Sequence, residues 1–169
     1  MEEGRAVYQL CRDWCIPLII NDRLDIALAL GPDVGCHLGQ DDMPAAEARR
    51  LMGPHRLLGI SVKTVEDCVN AIDAGADYLG VGACYGTQTK DSSVIAGLAA
   101  ICRVARKRNV PVVAIGGIGE GNAHYAIQAG ADGVAVVSAV FGAEDVKRAA
   151  RGLRGVVDAE LAIVSNEQI

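Results

Sequence analysis

One short pattern recurs along this chain and constrains its fold more than any other feature. A helical stretch ends in Gly, Asp follows two residues later, and an aliphatic run comes next. The pattern is clearest at residues 71–82 and 126–137, with a looser copy at residues 27–38. We expect the glycine of each copy to end its helix in the left-handed conformation. Those glycines are Gly75, Gly130 and Gly31. Repeated helix-to-strand units predict parallel strands joined by helices.

The same alternation of aliphatic runs and helical stretches continues along the rest of the chain. Six strands are predicted, at residues 18–21, 35–39, 57–62, 78–82, 110–116 and 133–138. Seven helices are predicted, at residues 3–14, 24–30, 45–52, 65–74, 95–108, 121–129 and 143–153. Nothing in the pattern reverses direction, as the switch point of an open sheet requires. The expected fold class is therefore α/β, a TIM (β/α) barrel.

The length of the chain bears on how much of such a barrel it holds. A TIM barrel takes about 250 residues, or roughly 30 for each of its eight units. A chain of 169 residues therefore has room for about six of the eight units. We expect residues 1–169 to form one incomplete barrel domain, and the helix at residues 3–14 has no strand before it. The missing units are predicted at the amino end.

Composition excludes several classes of function. Hydrophobic residues make up 51% of the chain and aromatic residues 4%, which suits parallel strands covered on both faces. A net charge of -5 without a basic stripe argues against a nucleic-acid partner. No apolar run reaches the roughly 18 residues of a membrane span, and residues 1–10 are too polar for a secretory signal, so a cytoplasmic location is expected. The six cysteines lack paired metal-binding spacing and are interpreted as buried thiols.

The two ends of the predicted strands are expected to have different roles. Asp33, Asp77 and Asp132 of the repeat precede strands, and the amino end of a barrel strand carries stability rather than chemistry. We therefore interpret these three carboxylates as structural. Functional candidates are the polar residues that follow strands, because the loops at the carboxyl ends build the active site of such a fold.

The first two strands are each followed by acidic residues. Asn21 and Asp22 follow the first strand, and Asp41 and Asp42 follow the second. Either segment can cap the helix after it, and for Asp22 the local sequence favours capping. Asp22 and Asp42 end neighbouring strands, however, and Mg²⁺ is held by one or two carboxylates together with water and phosphate oxygens. Considered together, the pair favours Mg²⁺ with a diphosphate.

Three further segments follow strands. Ser61 ends the third strand and is either a site residue or a helix cap. Residues 84–90, CYGTQTK, bring two hydroxyls, a glycine and an ammonium together, which is what a phosphate or diphosphate needs, although a solvated loop can have the same composition. The glycines at residues 116–119, with Val137 and Ser138 after the last strand, match the phosphate site between the final two loops of a barrel.

The histidines contribute less to this interpretation. His37 lies within a strand and is interpreted as a core histidine whose ring nitrogens form hydrogen bonds, rather than as a base. His55 and His124 are predicted in a loop and on a helix surface. No Ser/His/Asp or Cys/His grouping indicates a covalent mechanism. The chemistry is therefore expected to be electrostatic.

Taken in order, these segments resemble the thiamine-phosphate synthase family over nearly the whole chain. The similarity is carried by PLIINDRLDIALALGPDVGCHLGQDDMP, LLGISVKT, GADYLGVGACYGTQTK, PVVAIGGI and GADGVAVVSAV. The resemblance implies a transferase of thiamine biosynthesis that joins hydroxymethylpyrimidine diphosphate to a thiazole phosphate with Mg²⁺ as cofactor. It implies small-molecule substrates as partners, and the sequence leaves oligomeric state open.

The resemblance also implies a role for each matching residue. Lys90 and Ser61 would be catalytic, and Asn21 would join them in contacting the pyrimidine diphosphate, while Asp22 and Asp42 would bind Mg²⁺. The thiazole phosphate would be held by Thr87, Gln88, Thr89, Gly117, Val137 and Ser138. The implied mechanism is dissociative: the diphosphate departs, a pyrimidine methylene cation forms, and the thiazole nitrogen captures it.

Two other functions remain open from the sequence. The first two strands of the family have no counterpart here, so the chain could be a truncated, non-catalytic relative that binds thiazole phosphate or thiamine phosphate. An unrelated phosphate-binding barrel isomerase is the other alternative, and it would need an acid/base pair for which only His37 is a candidate. The Asp22 and Asp42 pair favours the transferase, because a protein that only binds the thiazole phosphate needs no metal.

Overall fold

The structure is a computed structural model that describes residues 1–82, 84 and 92–166. Within those residues, six strands alternate with eight helices. The strands are β1 Ile19–Asn21, β2 Gly35–Leu38, β3 Leu58–Val62, β4 Tyr78–Val81, β5 Val112–Ile115 and β6 Gly133–Ala135. The helices are α1 Glu2–Asp13, α2 Leu24–Leu30, α3 Ala45–Met52, α4 Val65–Asp73, α5 Ser92–Lys107, α6 Ala123–Gln128, α7 Ser138–Phe141 and α8 Val146–Asn166.

The strands form one parallel sheet whose spatial order is the order of the sequence, β1 to β6. Every neighbouring pair is parallel, which is the arrangement that successive βα units produce. Side chains from all six strands line a single cavity, so the sheet is curved around it as part of a barrel wall. The predicted α/β barrel fold with six of its units is confirmed.

A single apolar core fills the space between the outer face of the sheet and the helices. Alternate strand residues point into it, because successive side chains of a strand lie on opposite faces. On β3, for example, Leu58, Ile60 and Val62 are buried in this core, while Ser61 faces the other way. Cys36, Cys68, Cys84 and Cys102 are buried as predicted, but Cys15 is exposed and that part of the prediction is wrong.

The repeat glycines behave as predicted in two copies and differently in the third. Gly75 and Gly130 have φ values of 91° and 104°, so both end their helices in the left-handed region. Gly31 has a φ of 179°, which is ordinary extended backbone, so the predicted left-handed cap is wrong there. A Cβ at Gly31 would lie 2.8 Å from Cε1 of Tyr8. Glycine is needed at this position because the ring of Tyr8 packs directly against the backbone.

The predicted boundaries near the carboxyl end also need correction. The last strand stops at Ala135 instead of Ser138, and Ser138 begins the short helix α7. The final helix continues to Asn166, well beyond the predicted end at residue 153. Leu153 and Val157 of α8 are buried, and α8 packs along α6. Packing against α6 stabilises the turns of α8 that the sequence pattern did not predict.

The carboxylates of the repeat lie at the amino edge of the sheet and make structural contacts, as predicted. Asp77 Oδ2 accepts hydrogen bonds from the backbone N of Leu58 at 2.7 Å and from Nη2 of Arg49 at 2.6 Å. Asp132 Oδ2 accepts from the backbone N of Val112 at 2.8 Å. Each therefore ties the start of one strand to the neighbouring strand. Asp33 instead accepts a hydrogen bond from the Tyr8 hydroxyl.

Replacing Asp77 with Ala is expected to lower the free energy of unfolding by roughly 1–3 kcal/mol, because the amide of Leu58 and the guanidinium of Arg49 lose their acceptor. Denaturant titration would measure the change. Asp158→Ala removes a carboxylate whose ion pair with Arg154 is mostly exposed, and it should leave the unfolding curve nearly unchanged. Equal losses in the two variants would contradict the structural role of Asp77.

None of the helices in the described part of the chain is long and apolar enough to cross a membrane.

Candidate functional site

A cavity of about 280 Å³ opens on the concave face of the sheet. Its polar lining consists of Asn21, His37, Ser61 and Tyr78, one from each of the first four strands. The remaining lining is apolar or glycine and comes mainly from β5, β6 and the start of β1. A small site with an apolar wall and a few convergent polar groups is typical of a pocket for a small organic molecule.

The register of the strands explains why these polar side chains meet. His37 of β2 lies beside Gly59 of β3, which lies beside Tyr78 of β4. Ser61 follows Gly59 on the same face and lies beside Gly80. Two large side chains therefore flank a glycine, and they can contact each other across the gap that it leaves.

His37 is the centre of this polar group. Its Nδ1 lies 3.0 Å from the hydroxyl oxygen of Tyr78, and its Nε2 lies 2.9 Å from Oγ of Ser61. Burial lowers the pKa of His37, and the negative charges of Asp22 and Asp42 only partly oppose that shift. Burial also raises the pKa of Tyr78 to about 12, so the phenol keeps its proton. The prediction of a satisfied histidine is confirmed, and its ring lines the cavity.

Asp22 directly follows β1 at the carboxyl edge of the sheet. Its φ of 63° is left-handed, which is uncommon for a residue other than glycine and often occurs at functional positions. The amide of Asp22 donates to the carbonyl of His37 at 2.8 Å, and its Oδ1 accepts from Nδ2 of Asn21 at 2.8 Å. The helix-capping alternative is wrong, because α2 has Arg23 at its N-cap and no side-chain cap.

Asp42 follows the neighbouring strand and is held by its own turn. Its Oδ2 accepts a hydrogen bond from the backbone N of Gly39 at 2.7 Å. Helix α3 begins only at Ala45 with Pro44 as its N-cap, so capping is wrong here too. The negative charges of both Asp22 and Asp42 oppose the lowering of the His37 pKa.

The two carboxylates suit a hard divalent cation. Among the described residues, the structure contains no group of three or more His, Cys, Asp or Glu side chains that could hold a metal ion. Within that same part of the chain, the recorded hydrogen bonds of Asp22 and Asp42 use one oxygen of each carboxylate. Carboxylate oxygens are ligands of the type that Mg²⁺ takes, together with waters and phosphate oxygens.

Ser61 lies within β3, where it pairs with Gly80 of β4, and it does not cap a helix. Helix α4 is capped by Thr64, whose Oγ1 accepts from the backbone N of Asp67 at 3.0 Å in a complete capping box. The capping alternative for Ser61 is therefore wrong. The carbonyl of Ser61 accepts a hydrogen bond from Nε2 of Gln40 at 2.6 Å, which ties the loop after β2 to the end of β3.

The loop after β5 and the start of α7 meet at the same edge of the sheet. Gly116 and Gly117 have φ values of 97° and 67°, which favour glycine. Asn122 holds the loop by accepting from the backbone N of Gly119 at 2.8 Å and donating to the carbonyl of Gly117 at 2.9 Å. A Cβ at Gly119 would lie 3.9 Å from that of Ala139 in α7. Gly117 and the segment of Val137 and Ser138 thus end adjacent strands, as predicted.

The remaining predicted site residues belong to the loop after β4. Thr87, Gln88, Thr89 and Lys90 lie outside the described residues. Cys84, which is described, donates from its backbone N to the carbonyl of Ile115 at 3.0 Å. The chain therefore leaves β4 beside the carboxyl end of β5, at the edge where the other candidates lie.

Two residues of the site were not singled out from the sequence. Tyr78 is the one aromatic residue in the six predicted strands, and it stands two positions before Gly80 on the same face. That alternation was a readable signal of an inward side chain. Gln40 had no such signal, because its hydrogen bond to Ser61 joins the loop after β2 to strand β3, 21 residues further along the chain.

The fold and the site together define a parallel barrel-type α/β protein with a polar cavity on the concave face of its sheet and acidic residues after its first two strands. Residues 1–140 match the family model described as thiamine monophosphate synthase, and the chain belongs to that family. It is 51% identical to a thiamine-phosphate synthase of Roseiflexus sp. (strain RS-1), over 94% of this chain and 67% of the relative. It is 49% identical to the thiamine-phosphate synthase of Moorella thermoacetica, over 93% of this chain and 75% of the relative.

A solved structure is similar over the same region. Thiamine phosphate pyrophosphorylase from Pyrococcus furiosus superimposes with a TM-score of 0.82 at 38% sequence identity, covering 95% of this chain and 76% of that protein. The chain thus spans two thirds to three quarters of the length of these relatives.

Proposed function

We propose that this chain is a thiamine-phosphate synthase, which joins hydroxymethylpyrimidine diphosphate to a thiazole phosphate and releases diphosphate. The observation that carries the proposal is that Asp22 directly follows Asn21 of the cavity wall and Asp42 follows the neighbouring strand β2, in a chain half identical to proteins of that name. A diphosphate leaving group needs positive charge where negative charge develops. Two carboxylates at one strand edge can supply it by holding a divalent cation.

In this proposal the acidic pair and the first strands handle the pyrimidine diphosphate. Asp22 and Asp42 would hold Mg²⁺, which when bound neutralises charge on the diphosphate. Asn21 and Ser61 line the cavity, and each would form a hydrogen bond with that substrate. Lys90 would add an ammonium to the leaving group.

The thiazole phosphate is assigned to the opposite side of the same edge. Gly117 in the loop after β5, and Val137 and Ser138 at the start of α7, offer backbone amides to a phosphate, with Thr87, Gln88 and Thr89 completing the site. The two substrates would then face each other across the carboxyl edge of the sheet. The bond between the methylene carbon and the diphosphate oxygen would break first, with its electron pair leaving on the diphosphate, and the thiazole nitrogen would then donate its electron pair to the resulting pyrimidine methylene cation. Holding the reactants together in this way lowers the barrier.

The proposal is tested by incubating the protein with both substrates and Mg²⁺ and measuring thiamine phosphate and diphosphate. We expect both products in equal amounts, and none after chelation of the metal. Calorimetric titration with the thiazole phosphate provides the companion measurement. Binding of that ligand without turnover would refute the enzyme and support a protein that only binds it.

A further inference from the structure

We infer that Tyr78 is a positioning residue that acts through His37 to present the Ser61 hydroxyl to the substrate as a hydrogen-bond donor. The inference rests on the proposed function and adds a residue to its machinery. Tyr78 does not need to touch the substrate. Its role is to decide which nitrogen of His37 carries a proton, and thereby which way the proton of Ser61 points.

The direction of each hydrogen bond follows from counting donors. A tyrosine hydroxyl has one proton, and Tyr78 is half-buried, where a donor left without an acceptor is costly. Among the residues that the structure describes, the recorded acceptor within reach of the Tyr78 hydroxyl is Nδ1 of His37, at 3.0 Å. The phenol therefore donates to Nδ1, and that nitrogen carries no proton.

Counting donors and acceptors in the same way gives the direction of the hydrogen bond between His37 and Ser61. A neutral imidazole with an unprotonated Nδ1 carries its proton on Nε2. Nε2 then donates to Oγ of Ser61, which lies 2.9 Å away. One lone pair of the serine oxygen is occupied, so its own proton is free to turn toward an acceptor in the cavity. The opposite tautomer would accept the serine proton and leave Ser61 only lone pairs.

The proposed substrate requires a hydrogen-bond donor at the position of Ser61. Phosphate oxygens and the nitrogens of a pyrimidine ring accept hydrogen bonds, and Ser61 lies on the cavity wall. An acceptor-only Ser61 would face the lone pairs of the substrate and repel it. The arrangement of Tyr78, His37 and Ser61 therefore sets the polarity of one contact with the substrate.

The glycines opposite these rings leave little freedom for another arrangement. A Cβ at Gly59 would overlap both the Tyr78 ring and the imidazole of His37. A Cβ at Gly80 would lie 2.9 Å from Cε1 and 3.3 Å from Nε2 of His37. Both rings thus fill space that only glycine leaves open, so their hydrogen bonds are geometrically fixed.

The kinetic test is a double-mutant cycle of Tyr78→Phe and Ser61→Ala. Tyr78→Phe should lower kcat/KM by about tenfold, the size expected for losing one oriented hydrogen bond. In the Ser61→Ala background the same change should alter kcat/KM by less than about twofold, because the group that Tyr78 positions is gone. An equal loss in both backgrounds would overturn the inference. His37→Gln, which keeps an N–H donor, should retain more activity than His37→Leu.

A measurement without substrate separates this inference from the proposed function. The ¹⁵N chemical shifts of the His37 ring in the free protein should show Nδ1 unprotonated and Nε2 protonated, and Tyr78→Phe should weaken that preference. A protonated Nδ1 in the unmodified chain would overturn the inference even if the enzyme were active. A chain with the expected tautomer and no turnover would refute the proposed function instead.

Tyr8→Phe is the matched control for loss of a phenol. Tyr8 also donates to a partner, Asp33, but at the amino edge of the sheet and away from the cavity. Tyr8→Phe should leave kcat/KM and the His37 tautomer unchanged. Thermal unfolding of the Tyr8→Phe and Tyr78→Phe variants would show whether each remains folded at the assay temperature. If Tyr8→Phe lowered kcat/KM as much as Tyr78→Phe does, a specific role for Tyr78 would be contradicted.

Discussion

Asp42→Asn is expected to lower kcat/KM for thiamine phosphate formation by about 10²–10³-fold, comparable to removing one preorganised electrostatic group from an active site. The substitution removes the charge of the carboxylate but keeps an oxygen that can accept the hydrogen bond from Gly39. Loss of activity would then report the missing charge rather than a collapsed turn. Initial rates across a Mg²⁺ titration would measure the effect, and the concentration of Mg²⁺ at half-maximal rate should rise.

The neighbouring residue supplies the control for this prediction. Asp41 carries the same charge one position earlier and is exposed, and no recorded hydrogen bond within the described ranges fixes its carboxylate. Asp41→Asn should change neither kcat/KM nor the Mg²⁺ dependence by more than about twofold, since its charge is largely screened. Asp22→Asn should resemble Asp42→Asn. If the Asp41 and Asp42 variants behaved alike, the assignment of Asp42 to the metal would be wrong.

The overall fold was predictable because its strongest signal is local. In the repeat, Gly75 and Gly130 stop their helices and Asp77 and Asp132 start the next strands, and each step depends on a few consecutive residues. Six such units in one direction leave few alternatives to a curved parallel sheet. Gly31 shows the limit of this reasoning, because its neighbour Tyr8 comes from a different helix.

The acidic pair shows how the site itself was partly predictable. Judged alone, Asp22 looked like a helix cap, because aspartate before a helix usually is one. Only the expectation that neighbouring strands end at the same edge favoured a shared site for Asp22 and Asp42. The two residues do follow neighbouring strands, β1 and β2, and their shared metal site stays a prediction.

The contacts within the cavity could not be predicted from the sequence. Tyr78 and His37 are 41 residues apart, and their contact depends on the register of three strands and on the absence of a side chain at Gly59. Register follows from packing over the whole sheet, which no local pattern reveals. The sequence could place His37 inside the barrel, but it could not show which groups form hydrogen bonds with its imidazole ring.

Gly59→Ala is expected to damage both stability and activity, because the added Cβ would overlap the Tyr78 ring and the imidazole of His37. Both rings would have to move, and overpacking of this kind costs about 1–3 kcal/mol of unfolding free energy. Displacing His37 also displaces the hydrogen bond to Ser61, and a misplacement near 1 Å can lower the rate by about 10²-fold. Denaturant titration and steady-state kinetics would measure the two effects separately.

Two further variants test whether steric overlap at residue 59 causes the losses of stability and activity expected for Gly59→Ala. Gly133 is also a strand glycine, but a Cβ there meets nothing within 4 Å, so Gly133→Ala should leave kcat/KM unchanged. Adding Tyr78→Val to Gly59→Ala removes one of the two rings that the new methyl group overlaps and leaves space into which the imidazole of His37 can move. It should restore much of the lost stability without restoring activity. Recovery of full activity in that double variant would show that the ring of Tyr78 is dispensable. The geometry of β2, β3 and β4 predicts the opposite, because the phenol that orients His37 would be absent.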